Sequence, residues 1–206
     1  MIVDARPFVR ERLEESVFDR LGREGAVSLP LLTDACRRHL VAAAAAMPFR
    51  PARPVVGGGD RVVYQDMAVS DAFVPGDAFD RLAGALSALV EAAARRLPAY
   101  PFASPLALDD LMLQRYRAGA GGITPHRDGW RYVNLVCLIT LAGHARFALC
   151  DDRAGRNPRP LDAAPGRLIA MRAPGFAGSD ARPFHLVDRI TEPRLSLGLR
   201  QRRPAR

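Results

Sequence analysis

The feature that most constrains this chain is the train of short strand-like segments that fills nearly everything after Pro98. Residues 106–117, 123–128, 132–141, 145–150, 167–172, 183–187 and 194–201 are rich in aliphatic and β-branched residues, and Gly-, Pro- or Asp-containing turns separate them. The half before Pro98 reads differently. Residues 5–22 carry one apolar stripe (Phe8, Leu13, Val17, Phe18, Leu21), and a short apolar strand follows at 26–29. Thr33 offers an N-cap for a helix through Ala46, and residues 77–97 space Phe79, Leu82, Leu86, Leu89, Ala93 and Leu97 by three and four until Pro98 stops them. Helices first and strands after predict an α+β fold, with an antiparallel barrel or sandwich and the helices packed on its sheet.

The last strand states its own polarity. Arg194, Ser196, Gly198 and Arg200 alternate with Leu195, Leu197 and Leu199, so two arginines share one face. Facing a barrel interior, they need an anion, because a buried cation without a partner is costly; on an edge strand they would simply be wet. Met112, Gln114 and Tyr116 share a face in the same way, which puts an amide and a phenol together ten residues before His126. His126 and Asp128 are two apart, so in a strand they project from one side. His185 is the one later histidine in a strand context. Two imidazoles and one carboxylate make the facial set that leaves open positions on non-haem Fe(II). Of the other histidines, His39 reads as a surface residue, and His144, in a Gly-His-Ala turn, reads as exposed.

At 206 residues the chain is expected to form a single domain: a helical part to residue 100, a barrel core over 101–201 and a basic tail at 202–206. Apolar runs fall short of the roughly 20 residues a membrane span needs, and Met1-Ile2-Val3-Asp4 does not read as a signal sequence, so a cytoplasmic protein without a membrane partner is expected. Cys36, Cys137 and Cys150 lack any CxxC spacing and read as small buried apolar residues. All 30 cationic residues are Arg, and residues 145–206 carry 13 of them against 6 carboxylates, +7 of the net +8. Such a face can attract nucleic acid or another anion, or be a solvated tail with local ion pairs. Residues 51–60, ending Gly57-Gly58-Gly59-Asp60, form either a flap with the strand-like 61–66 or a plain hairpin turn.

Taken in order, a strand bearing Tyr116, a glycine-rich turn at 119–122, His-x-Asp, a later His and an Arg-bearing strand, residues 106–200 resemble the double-stranded β-helix (jelly-roll) core of the Fe(II)/2-oxoglutarate-dependent dioxygenases, and within them the AlkB-like type. The resemblance implies an oxidoreductase with Fe(II), 2-oxoglutarate and O2. It implies His126, Asp128 and His185 as iron ligands and Arg194 as partner of the distal carboxylate of 2-oxoglutarate. Ser196 matches an Arg-x-Ser pattern, Arg200 the paired-arginine ending, and Tyr116 a co-substrate hydrogen bond; Gln114 stands where the AlkB type has Asn. The implied reaction is hydroxylation or oxidative demethylation of a C–H bond, with succinate and CO2 released. Gly129-Trp130-Arg131-Tyr132 follows the ligand Asp where that type commonly has an acidic residue, which favours a small-molecule substrate over nucleic acid. Trp130, Tyr132, Tyr64 and residues 173–182 are then pocket or rim. An AlkB-type nucleic-acid dealkylase is one alternative. A non-catalytic cupin-like barrel is the other.

Overall fold

The computed structural model describes residues 7–203. In chain order its elements are α1 (Ser16–Glu24), β1 (Ala26–Pro30), α2 (Asp34–Ala45), β2 (Arg50–Pro51), β3 (Val55–Val56), β4 (Val63–Asp66), β5 (Ala68–Ser70), α3 (Ala78–Ala94), β6 (Asp110–Tyr116), β7 (Gly122–His126), β8 (Tyr132–Ala142), β9 (Arg146–Cys150), β10 (Arg159–Leu161), β11 (Arg167–Arg172), β12 (Phe184–Asp188) and β13 (Arg194–Arg202). One turn of 3₁₀ helix at 59–61 lies between β3 and β4. The strands form two antiparallel sheets, β1-β11-β8-β13-β6-β5-β2 and β10-β9-β12-β7-β4-β3. This is the expected jelly roll with helices on one side.

The helices start where their caps allow. The Thr33 hydroxyl accepts from Cys36 N, and the Asp77 carboxylate accepts from Phe79 N and Asp80 N, which satisfies donors that a helix start leaves free. The first helix is shorter than its apolar stripe predicts. It begins at Ser16, and the stretch before it instead bridges Phe8 to Leu32; Ala5 and Arg6 of the expected helix lie outside the described residues, as do residues 204–206 of the expected tail.

Two apolar layers result from the alternation in the long strands. Leu113, Ile139, Leu197 and Leu199 face the helices, packing with Phe18, Leu40, Phe79, Leu82 and Leu86. The opposite faces meet between the sheets, where Tyr116, Val136, Leu138, Phe147, Ile169 and Met171 form a second layer. Residues 54–66 form the β3–β4 hairpin at the edge of the smaller sheet, and β4 pairs with β7.

Gly122 opens β7 at φ +77, and a Cβ there would sit 1.9 Å from Val187 O. That close approach brings β7 and β12 together, with His126 directly opposite His185. The register shifts between His185 and Val187, beside Pro125, which has no N–H to give to the ladder.

Candidate metal and co-substrate site

His126 ends β7, and Asp128 lies just beyond the strand end. The two nevertheless converge, because His185 on neighbouring β12 completes a group whose ligand atoms all lie within 4.8 Å of one another. Both histidines use Nδ1 locally. His126 Nδ1 lies 2.9 Å from Thr124 O and His185 Nδ1 lies 3.3 Å from Pro183 O, so each donates there and presents Nε2 to the site. The two rings lie 4.3 Å apart, centroid to centroid. Burial pushes His126 below its ordinary value and takes His185 down to about 4, with the His126 charge as its next cause. Both are therefore neutral near pH 7, the state in which imidazole ligates.

Asp128 stays charged. Burial pushes its carboxyl up, but Arg200 and then the two histidines outweigh that and hold it below the usual carboxylate range. Arg200 Nε donates to Asp128 Oδ1 at 3.2 Å, and Asp128 Oδ2 lies 3.4 Å from His185 Nε2. Arg200, which the resemblance places at the co-substrate, lies against the ligand candidate Asp128 and lines the cavity beside it.

Arg194 is 1% exposed. Its Nη1 donates to Ser196 Oγ at 3.0 Å and its Nη2 to Thr140 Oγ1 at 3.2 Å. Ser196 in turn donates to Gln114 Oε1 at 3.3 Å. Register explains the row, since Ser196 pairs with Gln114 on one side and with Thr140 on the other. Among the described residues no carboxylate pairs with Arg194, and its Nε has no partner; nor does the hydroxyl of Tyr116, whose ring lies 5.5 Å from the guanidinium carbon. Burial takes the Tyr116 phenol up to about 12, so it stays a neutral donor. A single cavity is lined by His126, Asp128, His185, Gln114, Leu138 and Phe147, among others, between the two sheets.

These residues fit an Fe(II) ion and a dicarboxylate. The donor set is two neutral imidazoles and one carboxylate. The orphaned Arg194 Nε and Tyr116 hydroxyl are buried donors of the kind that seldom go unsatisfied. His144 stands apart: it is exposed and its Nδ1 lies 2.9 Å from Glu192.

Of the rim residues expected from sequence, Trp130 and Tyr64 are exposed. Tyr132 is buried in the layer between the sheets, and its hydroxyl accepts from Arg131. Sequence reasoning missed Thr140, although it is the lone polar side chain in the apolar run 135–142. The segment 173–182 expected at the rim ends in Arg182, whose Nη1 donates to Asp128 O at 2.6 Å.

No family model and no curated protein matches this chain. Solved structures do. A prolyl-4-hydroxylase from Pseudomonas putida superposes with a TM-score of 0.62 at 19% identity, covering 91% of this chain and 98% of that one. An oxidoreductase of the 2OG-Fe(II) oxygenase family from Burkholderia pseudomallei gives 0.60 at 17%, covering 93% and 91%. OsALKBH1 gives 0.58 at 17%, covering 86% and 98%. The chain has the fold of the 2-oxoglutarate- and Fe(II)-dependent oxygenases.

Proposed function

We propose that this protein is an Fe(II)/2-oxoglutarate-dependent dioxygenase that oxidises a C–H bond of its substrate, by hydroxylation or oxidative demethylation. The observation that carries this reading is the pairing of a His-Asp-His group with a buried arginine that has no anion among the described residues. A metal site alone would need no such cation. A dicarboxylate held at one end by the metal and at the other by Arg194 accounts for both.

In this reading His126, Asp128 and His185 hold the ion on one face. Arg194 receives the distal carboxylate, aimed by Ser196 and Thr140, with Gln114 behind Ser196. Tyr116 donates its phenol proton to the same ligand. Arg200 fixes the Asp128 carboxylate and lines the cavity beside it. The apolar walls, Leu138 and Phe147 among them, keep water from the reacting centre. Once bound, Fe(II) with 2-oxoglutarate and O2 supplies the oxidising power that places one oxygen atom on the substrate and releases succinate and CO2.

The spacing of Arg194 and Arg200 supports the AlkB-like type. Three free cysteines support a reducing, cytoplasmic compartment; no helix among the described residues is long and apolar enough to cross a membrane. Succinate formation from 2-oxoglutarate by the Fe(II)-loaded protein tests the reading. Turnover that is lost in Asp128→Ala is expected, and turnover that survives this change would overturn the assignment.

A further inference from the structure

Around the three ligand candidates lies a second set of cations that the chemistry above leaves unused. Arg127 and Arg153 both sit on the ring of Phe184, their guanidinium carbons 4.0 and 5.7 Å from its centroid. Arg182 stacks on Trp130 at 3.8 Å and is anchored on the carbonyl of Asp128. It lies near enough to Arg127 for the two charges to repel. Arg153 also reaches the β3–β4 hairpin, where its Nη1 lies 3.4 Å from Val62 O, and the hairpin is tied to Thr124 through Tyr64 N.

None of these three arginines forms an ion pair among the described residues. The neighbouring carboxylates are engaged elsewhere, Asp151 with Arg159 and Asp152 with Arg156. Asp128 and then Asp180 pull on Arg182, neither forming an ion pair with it. Elsewhere on this surface arginines commonly find a carboxylate, as Arg146 does with Asp188 and Arg202 with Asp110. Three unpaired guanidiniums, two on the Phe184 ring and the third close enough to repel one of them, form a local positive field, and the planar fork of Arg suits carboxylate and phosphate oxygens. Of the three, Arg182 lines the small cavity that Asp128, His185, Gly129, Pro174 and Arg172 also line beside the ligand candidates.

We infer that Arg127, Arg153 and Arg182, with the exposed face of Trp130, form an anion-binding rim that receives a carboxylate or phosphate group of a small substrate. The inference rests on the oxygenase reading for what happens next: the anchored substrate presents its C–H bond to the metal. It rests on the rim alone for binding, so the two can fail separately.

Trp130 is the only tryptophan, and Arg182 lies on its ring, so its emission reports the rim directly. The purified chain, without metal or co-substrate, is titrated with inorganic phosphate and separately with acetate. Neutral acetamide serves as control. A saturable change in Trp130 emission is expected with at least one anion, weakening as salt rises. Phosphate as the tighter probe indicates a phosphorylated substrate, acetate a carboxylated one. Arg127→Gln and Arg153→Gln leave the Trp130 stack in place and are expected to weaken the response about tenfold, whereas Arg127→Lys keeps most of it. Equilibrium dialysis with labelled phosphate repeats the comparison without the optical probe, and melting curves check that the variants fold. Silence with both anions, or unchanged binding in the two Gln variants, overturns the rim. A single-stranded oligonucleotide binding far more tightly than phosphate, with a steep salt dependence, overturns the small-substrate form. Failure of the iron chemistry leaves this titration untouched.

Discussion

Arg200 holds Asp128: the arginine's Nε lies 3.2 Å from one carboxylate oxygen, and the other oxygen faces His185. The anionic ligand candidate is therefore oriented by a cation on β13 before any metal arrives. Both partners are largely buried, at 13% and 15% side-chain exposure. Removing one leaves the other charged in a poor solvent.

Arg200→Gln is accordingly expected to act twice. Loss of the partner of a buried charge destabilises the metal-free protein by roughly 3–5 kcal/mol, read by urea unfolding. Loss of ligand orientation weakens divalent metal binding about 10–100-fold, read by calorimetric titration with Mn(II). Unchanged metal affinity would show that Asp128 needs no help from β13.

Gly198 makes room for that contact. A Cβ at Gly198 would lie 2.9 Å from Arg200 Nη1, so the guanidinium folds back over the glycine. Gly198→Ala is expected to displace Arg200 and lower metal affinity in the same direction, but less than Arg200→Gln. A crystal structure of the variant with Arg200 in place would contradict this.

Arg194 gives the opposite sign. It is buried, lacks an anion among the described residues, and burial pushes its guanidinium below the ordinary value. Arg194→Met removes an uncompensated charge at similar length, so the ligand-free protein is expected to melt at a higher temperature. The wild type with Mn(II) is expected to gain stability from 2-oxoglutarate, and the variant to gain none. A variant that is less stable alone, yet still stabilised by 2-oxoglutarate, would remove Arg194 from the co-substrate site.

Asn134 ties the loop before β6 to the loop that leads toward Arg182 and His185. It is fully buried at φ +62. Its Oδ1 accepts from Ala103 N, its Nδ2 donates to Ser104 O and Gln201 Oε1, and its backbone bonds Pro174 O and Ala173 N. Asn134→Ala is expected to cost about 3 kcal/mol, since buried partners are left unsatisfied and Ala is strained at positive φ. Asn134→Gly keeps the backbone conformation and is expected to cost about 1 kcal/mol less. Equal losses in urea unfolding would assign the whole effect to the side-chain bonds.

Much of this molecule was legible because strands write their two faces in alternation. The polar face of 194–200 and the shared face of Gln114 and Tyr116 follow from a period of two, and both meet between the sheets. What escaped depends on three-dimensional pairing. Nothing in the sequence links Asp128 to Arg200, 72 residues on, or Asn134 to Gln201, 67 residues on. Strands of two or three residues, β2, β3, β5 and β10, are too short to show a period, and Pro51 and Pro160 argue against two of them locally. Asp128 was expected within a strand and lies past its end, because alternation sets a side chain's direction and not where pairing stops.

The most direct measurement is anaerobic titration of the purified protein with Fe(II) and 2-oxoglutarate, watching for the weak visible charge-transfer band of a chelated co-substrate. The band is expected in the wild type and in His144→Ala, and is expected to vanish in Asp128→Ala. Fe(II) bound at His126, Asp128 and His185 with no band at saturating 2-oxoglutarate would contradict the account, and would make Arg194 the partner of some other anion.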